Sequence, residues 1–105
     1  MAFPCNQFAS QEPGDNATIK KFACERQNAE YPLFDKVNVN GPSAHDLFKF
    51  LRFNSELHDA KENYVGHVHW NFGKFLVDST GSNVYYLHSR ETPDVVESVI
   101  KELLK

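Results

Sequence analysis

The clearest hydrophobic pattern lies at the C-terminal end. Val96, Val99, Ile100, Leu103 and Leu104 recur at helical spacing behind Thr92 and Pro93, which predicts a helix with Thr92 as N-cap and Pro93 at its first position. Before it, "HWNFGKFLVD" and "NVYYLH" flank "STGS", the pattern of a β-hairpin turning near Gly81. Ile19, Phe22 and Ala23 at i, i+3 and i+4 predict a helix over 16–26, capped by Asp15 or Asn16, with Cys24 near its end. "YPLFDKVNVNG" predicts a short strand over 34–39, stopped by the turn signal Asn40-Gly41. Leu47, Phe50 and Leu51 predict a helix that starts at Ser43, with Ser43 and Asp46 in the manner of a capping box, and ends near Asn54. Residues 1–4 look like the tail of a strand, because Met1, Ala2 and Phe3 run into Pro4, and 5–14 read as a loop closed by "EPG". "SELHDAKENYVG", over 55–66, is polar and aperiodic and reads as a surface loop.

Strand end, helix, strand, helix, hairpin and helix in that order argue for an α/β layer structure, with helices packed on a small mixed sheet. At 105 residues, with 41% hydrophobic and 24% charged residues, the chain is long enough for one domain with a modest core. A net charge of -3 with scattered Lys and Arg argues against nucleic acid as a partner. No apolar run approaches the ~18 residues of a membrane span, and "MAFPCNQF" lacks the regions of a secretory signal, so the expected compartment is the cytosol. Cys5 and Cys24 are too few for a disulfide scaffold and form no CxxC pair; they read as free thiols.

Three constellations are candidates for chemistry. His67 and His69 lie two apart on an expected strand and so share a face, an arrangement that can hold a metal. Nothing fixes further ligands, so the plainer reading is exposed or locally hydrogen-bonded histidines, and no metal or other cofactor is assigned. Cys24, near a helix C-terminus, has no local feature that stabilises a thiolate; it reads as a half-buried spacer or a thiol that acts on another sulfur. Cys5 sits in a turn beyond a strand, with room for amide donors around it. Trp70 and Asn71 put an indole N–H beside a side-chain amide, but strand neighbours face opposite ways, so both aim at one place only if the backbone bends. From spacing alone Trp70 reads as core.

"FPCNQFASQEPG", "FACERQNAEYPLFDKVNVNG" and "WNFGKFLVDSTG", in this order and at these separations, resemble the glutathione peroxidase family over essentially the whole chain. The resemblance implies a thioredoxin-like fold and the reduction of hydrogen peroxide and organic or lipid hydroperoxides, an antioxidant activity in the response to oxidative stress. It implies that Gln11, Trp70 and Asn71 hold the attacking thiolate or selenolate with neutral donors, which stabilise the anion without protonating it. It gives Cys24 the part of the resolving cysteine of the thioredoxin-dependent, cysteine-type members, with a thioredoxin-like protein or glutathione as reductant, while Cys5 belongs to the pattern without that role. The short 55–66 segment matches the monomeric type.

The sequence departs from the family at Ala9, where a Gly is usual, at Asp46, where a Pro is common, and at His69, where a Lys often precedes the Trp. The family's nucleophile sits on a strand-to-helix turn upstream of "FPCNQF". The chain is therefore expected to be an N-terminally truncated, partial domain that lacks that residue and its strand. The expected consequences are marginal stability or self-association. The alternative function is a catalytically incomplete remnant that serves as a binding or regulatory module.

Overall fold

The computed structural model describes residues 1–105 and has the expected α/β character, with three α-helices and short strands. The chain divides into two compact units, Met1–His45 and Asp46–Lys105.

In the first unit, Ala2 and Leu33 form a parallel bridge, with the Ala2 N–H donating to Pro32 O and the Phe34 N–H donating to Ala2 O, both at 2.9 Å. The strand expected over 34–39 goes no further than this bridge. Pro4 has no N–H with which to extend the ladder, the Lys36 N–H donates to Asn16 Oδ1 instead (2.8 Å), and Pro4 O is reached one residue out of step by the Val37 N–H (2.9 Å). Phe3 and Phe34 stack beside the bridge with ring centroids 4.6 Å apart.

Helix α1, Asn16–Lys21, starts where Asp15 Oδ1 accepts the Thr18 N–H at 2.8 Å, a bond that also holds the Asp15 carboxyl below the ordinary carboxylate range. The helix expected over 16–26 changes character at its middle: Phe22–Arg26 is a π-turn, closed by the Gln27 N–H on Phe22 O. Ile19 is the only buried residue of α1 and the π-turn has none, so packing does little to impose α geometry there. The buried side chains of this unit are Cys5, Phe8, Ile19, Val39 and Ala44.

In the second unit, α2 runs over Asp46–Phe53 rather than from Ser43, whose hydroxyl instead accepts the Asn38 side-chain amide (2.9 Å). Its Phe48, Leu51 and Arg52 are buried. The Arg52 guanidinium donates to Gly66 O (3.0 Å) and Val65 O (3.4 Å), and its burial lowers its pKa from the ordinary value. The segment read as a loop over 55–66 contains a small antiparallel hairpin, β1 (His58–Asp59) with β2 (Tyr64–Val65). Asp59 Oδ1 builds its turn by accepting the Lys61 and Glu62 N–H groups, and Asn63 takes a left-handed φ of 53°.

The second hairpin pairs β3 (Lys74–Val77) with β4 (Val84–Leu87), Lys74 opposite Leu87 and Val77 opposite Val84. It is shorter than the sequence suggests, since 67–73 lies outside the ladder. Asp78 organises the turn, accepting from the Thr80 hydroxyl (2.6 Å), the Asn83 side-chain amide (2.5 Å) and both their backbone N–H groups. These bonds favour the carboxylate and lower its pKa to about 2. Gly81 supplies the left-handed φ of 75° that closes the loop.

Helix α3, Pro93–Leu103, follows Thr92 and Pro93 as expected, although the Thr92 side chain makes no cap bond. Its apolar stripe is only half-buried, and Ile100 and Leu104 are exposed. No large side chain in the chain is fully buried, which is a thin core for 13% aromatic residues. No helix is long and apolar enough to cross a membrane.

Candidate functional site

Gln11 is carried by an irregular loop of the first unit that is tied down at several points. Ala9 and Ser10 both adopt left-handed backbone (φ 55° and 51°), unusual for consecutive non-glycine residues, and the Gln11 N–H returns to Phe8 O at 3.3 Å. On the far side of Gln11, the Lys36 ammonium donates to Glu12 O (3.1 Å) and Gly14 O (2.6 Å), while Asn6 Oδ1 accepts the Glu12 N–H (2.9 Å). Gln7 completes the frame: its Oε1 accepts the Val39 and Asn40 N–H groups (2.7 and 3.0 Å) and its Nε2 donates to Asn40 O (2.9 Å). The Gln11 side chain itself is exposed.

Cys5 is buried, and its thiol donates to Gln7 Oε1 at 3.5 Å. The sulfur therefore faces an acceptor within this frame, the opposite of what a thiolate needs. Cys24 is a free, exposed thiol on the π-turn, not half-buried. A shallow cleft lined by Thr18, Lys21, Phe22, Glu25 and Arg26 lies along this helical segment, and Cys24 does not line it.

Trp70 and Asn71 belong to the second unit, in the irregular segment ahead of β3. The backbone turns there: Phe72 is left-handed (φ 63°) with an 83% exposed side chain, and its carbonyl is held by the Lys74 ammonium at 2.7 Å. Gly73 lets the turn close, since a Cβ at this position would come within 2.8 Å of Val68 Cγ1. The bend removes the objection that strand neighbours face opposite ways. It also explains why Trp70 is 45% exposed instead of joining the core.

His67 and His69 lie on this irregular segment and not on a strand, so the shared face expected of them does not form. His69 pairs instead with Tyr86, whose hydroxyl accepts its backbone N–H at 3.1 Å and lies 3.2 Å from its Nδ1. Lys36, Gln7 and Tyr86 were not legible as site residues in the sequence. Each acts by side-chain bonds to backbone remote in sequence, which leaves no local spacing to read.

The structure thus brings Trp70 and Asn71 together on one turn, with Gln11 and Cys24 on separate elements of the other unit. Amide and indole N–H groups presented from bent backbone can stabilise an anion without supplying an acid.

A family model described as glutathione peroxidase matches residues 1–52. "Phospholipid hydroperoxide glutathione peroxidase 1, chloroplastic" of Arabidopsis thaliana is 47% identical over 104 residues, covering 99% of this chain and 42% of that protein. "Probable phospholipid hydroperoxide glutathione peroxidase" of Citrus sinensis is 47% identical over 106 residues, covering 100% of this chain and 60% of its own length. "Probable phospholipid hydroperoxide glutathione peroxidase 6, mitochondrial" of Arabidopsis thaliana is 47% identical, covering 99% and 43%. The chain therefore spans roughly half the length of the curated relatives it matches. A solved structure described as "Crystal structure of Trgpx in apo form" superposes with a TM-score of 0.66 at 30% identity, covering 97% of this chain and 54% of that one. The cytosolic compartment expected from the N-terminal residues does not stand, because relatives this similar carry chloroplastic and mitochondrial names.

Proposed function

Because the chain belongs to the glutathione peroxidase family, we propose that it serves the reduction of hydrogen peroxide and of organic and lipid hydroperoxides at the expense of a thiol reductant. The observation that supports this reading is that Trp70, Asn71 and Phe72 lie in bent backbone and not in a strand, so the two adjacent neutral donors are not obliged to face opposite ways. By the same resemblance Gln11, on the loop framed by Lys36 and Gln7, is read as a neutral donor. Sequence matches that extend through both compact units support treating residues 1–105 as part of one peroxidase domain.

In this reading a peroxidatic thiolate or selenolate attacks the terminal peroxide oxygen. The O–O bond breaks, the alcohol leaves with a proton, and a sulfenic or selenenic acid remains. Neither Cys5, buried against Gln7, nor Cys24 takes that part. Cys24, exposed on the loosely held π-turn, attacks the oxidised centre to form a disulfide or selenenylsulfide and release water. A thioredoxin-like dithiol then reduces that bond in the monomeric enzyme.

Residues 1–105 do not supply the peroxidatic residue in this reading, so the test is consumption of cumene hydroperoxide by the protein as produced in its natural source, with a thioredoxin system and with glutathione in parallel. Thioredoxin-dependent turnover is expected to disappear in Cys24→Ser and to fall about 10-fold or more in Asn71→Ala. No consumption with either reductant overturns the proposal and leaves the binding-module alternative.

A further inference from the structure

The segment that carries Trp70 and Asn71 is held on one side by ionisable groups. Tyr86 Oη accepts the His69 N–H at 3.1 Å and lies 3.2 Å from His69 Nδ1. Tyr86 is fixed in turn by β4 and by its N–H on Glu56 Oε2 at 2.7 Å. The His69 ring lies against His88, with centroids 4.7 Å apart and planes inclined by 31°.

His88 is tied down in a form that requires it to be neutral. Its Nδ1 accepts the Arg90 N–H at 3.1 Å and lies 3.2 Å from the Ser89 hydroxyl. A backbone N–H can only donate, so this nitrogen carries no proton. Protonation at Nδ1 therefore breaks the Arg90 bond and places a cation against the His69 ring.

We propose that Tyr86, His69 and His88 form a proton-responsive clamp of positioning residues: with His88 unprotonated at Nδ1 the clamp holds the Trp70 and Asn71 turn, and with His88 protonated there it lets the turn go. The other charged groups around the clamp are Glu56 on the Tyr86 N–H, Lys74 on the Phe72 carbonyl, and Arg90 and Glu91 beside His88. Glu91 favours a proton on His88, whereas partial burial, Arg90 and His69 oppose it, and the opposition prevails: the His88 pKa lies below its ordinary 6.5. A histidine depressed in the folded state contributes stability that is full above 6.5 and is lost as pH falls from 6.5 through the folded value.

The functional meaning of the clamp rests on Trp70 and Asn71 being the anion donors, but its test does not, because Trp70 is the only tryptophan and reports on the turn directly. Acrylamide quenching of Trp70 is measured from about pH 7.5 to about pH 5 in the unmodified chain, in His88→Gln and in Tyr86→Phe, with far-UV circular dichroism recorded alongside. The quenching constant of the half-exposed Trp70 is expected to rise at the acid end in the unmodified chain while the dichroism is unchanged. It is expected to stay nearly level in His88→Gln, and to be raised already at the alkaline end in Tyr86→Phe. A flat profile in the unmodified chain, or an equal rise in His88→Gln, overturns the clamp. A failed hydroperoxide assay with the expected quenching removes the function and leaves the clamp.

Discussion

Gln11 and the pair Trp70 and Asn71 sit on loops of the same kind, irregular backbone that includes left-handed non-glycine residues, yet the side chains that hold the two loops differ in chemistry. The Gln11 loop is framed by an ammonium and by amides, from Lys36, Gln7 and Asn6, with no imidazole among them. The Trp70 turn leans on a phenol and two imidazoles. One loop is thus held without an imidazole, whereas the other is held beside His88, whose protonation follows the proton concentration around it.

The largest effect is expected where the Gln11 loop loses its cation. Lys36→Met keeps much of the apolar stem but removes two charge-assisted bonds to Glu12 O and Gly14 O, and should lower the unfolding free energy by about 2–3 kcal/mol in a urea melt. That loss should be the same at mildly acid and neutral pH. A loss confined to one end of the range would put Lys36 in a titrating network and dissolve the contrast between the loops.

A smaller gain is expected on the same loop. Ala9 takes a φ of 55° where the family usually has Gly, so Ala9→Gly should relieve strain and raise stability by about 1 kcal/mol. A destabilised Ala9→Gly protein in the same melt would mean that contacts of the Ala9 methyl outweigh the backbone strain.

The smallest effect separates titration near the Trp70 turn from titration elsewhere in the same unit. Asp78 is held to a pKa of about 2, below its ordinary 3.8, so it contributes stability above 3.8 that disappears as pH falls toward 2. Asp78→Asn should flatten acid unfolding in that window and leave the range around 6.5 untouched. A shift of the transition near neutrality in this variant would show that the β3–β4 turn and the histidine pair titrate together.

Much of the architecture is written in local pattern. α3 follows from Thr92, Pro93 and the apolar positions behind them, and the β3–β4 turn from Gly81. What escaped the sequence depends on partners distant along the chain. The strand over 34–39 fails because Pro4 and Asn16, far upstream, decide where the Lys36 and Val37 N–H groups go. The β1–β2 hairpin is hidden because polar residues build it, through Asp59 and a left-handed Asn63, with no alternation to announce it. The candidate site divides the same way. Gln11, Trp70, Asn71 and Cys24 come from motif resemblance, whereas Lys36, Gln7, Tyr86 and His88 emerge only from the folded chain.

Amide hydrogen exchange at Glu12 and His69 tests the contrast most directly, because the first N–H is held by Asn6 and the second by Tyr86. With intrinsic rates corrected, protection of Glu12 should be the same at about pH 5 and about pH 7.5, while that of His69 falls at the acid end. A parallel fall at both amides, or an unchanged His69, would contradict the account.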